Sequence, residues 1–319
     1  MDLGMDLGTR YMGLDLKNPL VASASPATGD LGNIRRLEDA GAAAIVLPSL
    51  FAEHIPVDPP GAAASPAASE LGPDHYLDLV RRAAGAVDIP IIASLNGTSA
   101  GGWTGIADQL AEAGAKGIEI NVYAIPTDLA ATGRAIEQRH IEILRAVRTA
   151  GLPVAMKLNP YFSAMGHMAK ELDHAGAAAL VLFNRFYLPQ IDLAEQRYAN
   201  DLQLSGRNEI RLPLLWIAVL SGRIGASLAA STGVESADQV LQYLFAGADV
   251  VMTTSALLRH GVRYVESLLI GLESWLSARG LRSLGEIRGA LSQRRLRDPE
   301  AFGRASYIEV LHSYVRSPG

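Results

Sequence analysis

The sequence predicts an α/β protein, a single (β/α)8 TIM barrel domain over residues 1–319, with insertions after the second and sixth strands. Three observations point there. A helix end, then Ala-Gly-Ala, then a short apolar run recurs four times along the chain. The glycines at the centre of that pattern, Gly41, Gly114, Gly176 and Gly247, lie 73, 62 and 71 residues apart, each about two βα units. Four more apolar runs fall before or between them.

The elements follow in order. Pro19–Ser23 reads as a first strand, and Ala44–Leu47 after Gly41 as a second. A helical pattern over Tyr76–Ala86 leads to a third strand at Ile89–Leu95, and Gly117–Val122 after Gly114 is the fourth. A helix over Ile136–Thr149 precedes the fifth strand, Leu152–Leu158, and Leu180–Phe183 after Gly176 is the sixth. Ala226–Ala230 is the seventh, Asp249–Met252 after Gly247 the eighth, and a last helix runs through Val262–Ala278. A glycine just past a helix takes the left-handed conformation that closes it. The apolar runs lack polar alternation, as strands buried on both faces do. Eight alternating units in about 250 residues favour a closed barrel over an open sheet. No Gly-x-Gly-x-x-Gly follows the first strand, which argues against a dinucleotide-binding fold. Two connections, Ile55–Gly72 and Arg185–Pro213, are too long for plain loops, and the first is a candidate lid. Residues 1–10 are expected to be a flexible N-terminus without the pattern of a signal peptide.

Composition narrows the function classes. Hydrophobic residues make up 49% and charged residues 19%, enough for a large core. The net charge is -5 and no basic block exceeds the short Arg294-Arg295-Leu296-Arg297 cluster, so nucleic acid is not an expected partner. The absence of cysteine excludes disulfides, thiolate metal sites, iron–sulfur ligation and cysteine nucleophiles. No run approaches the ~18 apolar residues of a membrane span. The seven histidines are scattered without metal-ligand spacing, so no metal is expected and surface or capping roles are. A cytoplasmic homodimer acting on a small molecule is the expectation.

Polar residues at the strand ends carry the functional signal. They include Ser23, Asn96, Asn121, Tyr123, Lys157, Asn184, Thr232, Gly233, Thr254 and Ser255. Lys157 closes the apolar run Pro153–Met156, and a lysine there needs an anionic partner or has to lose its charge. Ser231-Thr232-Gly233 and Thr253-Thr254-Ser255 end the last two strands, where barrels often bind phosphate. A phosphate-bearing cofactor is therefore expected at the mouth.

Taken together, Asn18-Pro19-Leu20, Ile92–Gly97, Glu119-Ile120-Asn121, Lys157-Leu158-Asn159-Pro160, Val181–Asn184, Thr232-Gly233-Val234 and Ala246–Met252 resemble the dihydroorotate dehydrogenase family of FMN-dependent barrels. The resemblance runs along most of the chain. It implies an FMN-dependent oxidoreductase acting on CH–CH groups, with dihydroorotate oxidation in pyrimidine biosynthesis as the family's reaction. It implies that Lys157 contacts the flavin N1–C2=O edge and that Asn121 and Asn184 lie near flavin and substrate. Thr232-Gly233 and Thr254-Ser255 would hold the phosphate, with Ser23 and Asn96 also beside the cofactor. A cation about 4 Å from that edge contributes about 4 kcal/mol toward reduced flavin at an effective dielectric of about 20.

Two departures stand out. The family usually has Thr-Lys-Ser or Thr-Lys-Thr ending the second strand, and this chain has Leu47-Pro48-Ser49. After the fourth strand the family places a Cys or Ser base, and this chain reads Asn121-Val122-Tyr123-Ala124-Ile125-Pro126. Loss of a positioned base typically costs 10²–10⁴-fold. Tyr123 is the candidate replacement, as an acid or base or as a stacking group. Two other readings remain open: a lyase or aldolase using Lys157 as a Schiff base, and an FMN-binding protein without turnover.

Overall fold

Alternation along each strand decides which side chains face the inside of a barrel, and here it sends most apolar side chains outward. The computed structural model describes residues 5–55, 72–98, 103–185, 189–199 and 203–299, with 302, 307–308 and 311–312. Its strands are β1 (Thr9–Tyr11), β2 (Leu14–Leu16), β3 (Leu20–Ala22), β4 (Ala44–Phe51), β5 (Ile91–Asn96), β6 (Gly117–Asn121), β7 (Val154–Leu158), β8 (Ala179–Leu182), β9 (Gln190–Asp192), β10 (Arg197–Ala199), β11 (Ser227–Ala230) and β12 (Val250–Thr253). Eight of these form a closed parallel barrel in the order β3-β4-β5-β6-β7-β8-β11-β12, with β12 pairing back to β3. All eight expected strands are present.

The helices are α1 (Leu31–Asp39), α2 (Pro73–Ala84), α3 (Trp103–Glu112), α4 (Gly133–Val147), α5 (Met165–His174), α6 (Arg211–Leu220), α7 (Ala237–Ala246), α8 (Ser255–His260) and α9 (Tyr264–Ser277). Gly41, Gly114, Gly176 and Gly247 have φ of 95°, 103°, 91° and 115°. The repeated Ala-Gly-Ala is thus a helix stop read by backbone geometry. At Gly247 a Cβ would also run into the Ser221 side chain, so only glycine fits.

The main core lies between the barrel and its helices. It takes Ile118 and Ile120 from β6, Val154, Met156 and Leu158 from β7, and Leu180 and Leu182 from β8. A smaller cluster fills the barrel interior with Val21, Val46, Ile92, Ala155, Val181, Ala229, Val250 and Met252. Its floor is the β1–β2 hairpin, which inserts Tyr11, Met12 and Leu16. Of residues 1–10, expected to be a flexible N-terminus, residues 1–4 lie outside the described residues, and 5–10 include anchored positions. Leu7 is buried and the backbone of Asp6 bonds to Arg282 and Leu284.

Two further differences have local causes. β4 runs to Phe51, four residues past the expected end, because a bulge between Val46 and Ser49 carries it around Pro48. Proline has no N–H to give the ladder, so the strand must step past it. The insertion after β8 is partly structured, as an antiparallel β9–β10 hairpin. The candidate lid falls almost wholly on residues 56–71, which lie outside the described residues.

Candidate active site

On β6 and β7 the residues facing into the barrel are Gly117, Glu119 and Asn121, and Ala155 and Lys157. The outward positions between them belong to the main core. The register pairs Glu119 with Ala155 and Asn121 with Lys157. Lys157 therefore reaches back past a small alanine, and its Nζ lies 3.1 Å from Glu119 Oε1 and 3.2 Å from Ser23 Oγ. Lys157 is 8% exposed and Glu119 1%. This is a buried ion pair, which folding tolerates only when each charge has its partner. Glu119 Oε2 is buried and has no hydrogen-bond partner among the described residues.

Above the pair is a cavity of about 290 Å³ at the C-terminal ends of the strands. Ser23, Lys157, Asn184, Thr232, Gly233, Thr254 and Ser255, all expected at the site, line it together. Asn121 joins them through Asn184, whose Nδ2 donates to Asn121 Oδ1 at 2.9 Å. Asn96 ends β5 opposite Asn121 in the ladder and is half-buried, outside the cavity lining. Tyr123 lies two residues beyond Asn121 and is also half-buried and outside the lining.

One side of the cavity is a built turn. Thr232 and Gly233 have φ of 86° and 74°, two successive left-handed residues, and the first is β-branched. Such backbone persists only where the surroundings hold it. Thr232 Oγ1 donates to Phe183 O at 3.1 Å, and the Tyr243 hydroxyl donates to Thr232 O at 2.8 Å and to Ser231 O at 3.3 Å. Burial, then the charge of Glu209, pushes the Tyr243 phenol well above its ordinary range, so it stays a donor. Gly233 N donates to Ser205 Oγ at 3.1 Å, and Ser205 Oγ lies 2.9 Å from Ser255 Oγ. A Cβ on Gly233 would sit 2.7 Å from Ile210 Cγ2 and 2.9 Å from Gly206 O. On the β3 side, Thr254 Oγ1 donates to Ser23 O at 3.3 Å.

Three contributors escaped the sequence reading. Glu119 was overlooked as a site residue, although a charge inside the run Gly117–Asn121 is the signal that marks it. Ser205 comes from the long insertion and has no motif. Tyr243 looks like an ordinary helix core residue. One histidine expectation is corrected: His140 is buried on α4, its Nδ1 2.8 Å from Ile136 O and its ring edge-on to Phe162. Burial lowers its pKa. Among the described residues no group of three His, Asp or Glu could hold a metal, and no helix is long and apolar enough to cross a membrane.

The profile of the dihydroorotate dehydrogenase family matches residues 67–276, about two thirds of the 319-residue chain. A protein of Aeropyrum pernix named for dihydroorotate dehydrogenase A (fumarate) is 29% identical over 63% of this chain and 67% of its own length. The catalytic subunit of dihydroorotate dehydrogenase B (NAD(+)) from Anoxybacillus flavithermus is 26% identical over 78% of this chain and 85% of its own. The subunit of the same name from Halalkalibacterium halodurans is 26% identical over 53% of this chain, and the match spans only 58% of that protein.

Proposed function

The chain belongs to the dihydroorotate dehydrogenase family, and from that premise we propose that it is an FMN-dependent oxidoreductase whose cofactor half follows the family and whose substrate half does not. The observation that carries the reading is the cavity in which the buried Lys157 faces the left-handed Thr232-Gly233 turn.

The residues present fit the group. Gly233 packs so closely on Ile210 and Gly206 that a Cβ would displace the turn, and the hydroxyls of Thr232, Thr254, Ser205 and Ser255 line the cavity beside it. The Ser205–Ser255 pair keeps one hydroxyl proton for a phosphate, and Thr232 and Thr254 would turn theirs from Phe183 O and Ser23 O to donate as well. Lys157, Ser23, Asn96, Asn121 and Asn184 would hold the ring system. The chemistry such a cofactor supplies is acceptance of a hydride equivalent from a substrate carbon. Lys157 places a cation where negative charge on the ring would develop, and Glu119 fixes its position. Tyr123 is the only titratable side chain in residues 121–127 and takes the proton-handling or stacking role.

A Schiff-base role for Lys157 fits less well. Its amine is held between Glu119 and Ser23 at hydrogen-bond distance, and an ion-paired amine is a poor nucleophile. The test is the visible spectrum of protein purified with added FMN, followed anaerobically with dithionite and, on a separate oxidised sample, with dihydroorotate. Flavin bands that bleach with dithionite are expected. A folded sample without flavin bands overturns the proposal.

A further inference from the structure

A second cavity, of about 610 Å³, opens at the opposite end of the barrel, where β11 and β12 begin. Its wall is built by the turn between α6 and β11, the start of β11, Asp249 before β12, and the chain from Arg288 to Arg295. The charged side chains lining it are Arg288, Arg294, Arg295 and Asp249, three cations to one anion on a chain whose net charge is -5. That anion is already engaged. Asp249 Oδ1 accepts from Arg288 Nη1 at 3.3 Å and its Oδ2 from Leu228 N at 2.8 Å, and this is the only ion pair among the described lining residues. Arg294 is held by a neutral group. Its Nη1 donates to Gly222 O at 2.7 Å, and Gly222, left-handed at φ 72°, aims that carbonyl. Arg295 beside it is exposed. Arg294 and Arg295 thus bring to the cavity two charges that no carboxylate of the described lining balances.

Guanidinium forks match phosphate oxygens, and two of them side by side suit two phosphates. Ser227 adds a neutral donor, since its Oγ accepts from Met12 N at 3.3 Å and keeps its proton. Ile224 and Leu228 are the only large apolar side chains in the lining, so nothing there favours an aromatic or lipid group. The volume falls within the range of about 300–1,000 Å³ of small-molecule sites, which leaves room for a small polar group beside the phosphates. Ser227 lies four residues before Ser231 at the mouth, about 13 Å at about 3.3 Å per residue. The two cavities are therefore separate sites on the same strands.

Independently of the cofactor reading, we propose that this cavity binds a small molecule bearing a diphosphate, gripped by Arg294, Arg295 and the Ser227 hydroxyl. The probe is inorganic pyrophosphate, titrated calorimetrically into the protein with excess FMN present, and compared with sulfate at equal ionic strength. One pyrophosphate per chain is expected, bound at least about tenfold more tightly than sulfate. The Arg294→Gln/Arg295→Gln variant is expected to bind pyrophosphate at least about tenfold more weakly, with its melting temperature retained. Arg295→Gln alone changes an exposed side chain, and is expected to weaken pyrophosphate at least about threefold. No saturable pyrophosphate binding, or sulfate binding as tightly, overturns the proposal. Wild-type affinity in the arginine variants also overturns it, because the probe would then sit elsewhere.

Discussion

Lys157 Nζ and Glu119 Oε1 lie 3.1 Å apart inside the barrel, on neighbouring strands and beneath the mouth. The lysine does not present a bare charge to whatever binds above it. Its field is that of an ion pair, weaker and more directional than a lone cation's, and its position is fixed by a carboxylate whose second oxygen has no hydrogen-bond partner among the described residues.

Removing one member of this pair leaves a buried charge unmatched, at a typical cost of about 3–5 kcal/mol. Glu119→Gln and Lys157→Met are each expected to lower the urea midpoint markedly. The double variant should be less destabilised than the two single losses added together. Full additivity in urea melts would show that the two charges do not interact.

The same pair bears on redox behaviour. Glu119→Gln takes a negative charge from below the cofactor and is expected to raise the flavin midpoint potential by tens of millivolts. For a two-electron couple about 30 mV corresponds to about 1.4 kcal/mol. Spectroelectrochemistry on flavin-loaded wild type and variant reads this directly, and an unchanged or lowered potential contradicts it.

Gly233→Ala puts a methyl group 2.7 Å from Ile210 Cγ2 at a residue with φ of 74°. A cost of about 1–3 kcal/mol in stability is expected, together with weaker FMN retention measured by ultrafiltration. Wild-type retention in a folded variant would mean that this turn is not the phosphate cradle.

Alkaline pH should unfold the protein through its buried phenols. Tyr11, Tyr76 and Tyr243 all have pKa values raised above the ordinary 10, with burial the leading cause in each. In the unfolded chain they ionise near 10. Their contribution is therefore intact below pH 10 and lost above it, by about 1.4 kcal/mol per tyrosine per pH unit. Ultraviolet titration should show these three ionising only with unfolding, and their ionisation at pH 10 in folded protein would contradict the account.

The barrel was legible because its signals are local. A left-handed glycine after a helix marks four of the strands and a short apolar run the other four, and each signal can be read within ten residues. The mouth residues were legible for a related reason. Lys157 and the asparagines stand where apolar runs end, and a polar group there has few structural reasons to exist. Glu119 was missed as part of the site because its role appears only when β6 and β7 lie in register. Ser205 and Tyr243 act through contacts with residues 28 and 11 positions away, which no motif records. The extension of β4 past Pro48 depends on a bulge, which becomes visible only once the neighbouring strand is in place.

The central claim is that the cavity between Lys157 and the Thr232-Gly233 turn holds FMN. Equilibrium dialysis of apoprotein against FMN, in wild type and in Lys157→Met, tests it most directly. Saturable binding of one FMN per chain, weakened in the variant, is the predicted result. No saturable binding to folded wild-type protein, or equal affinity in both, would contradict it.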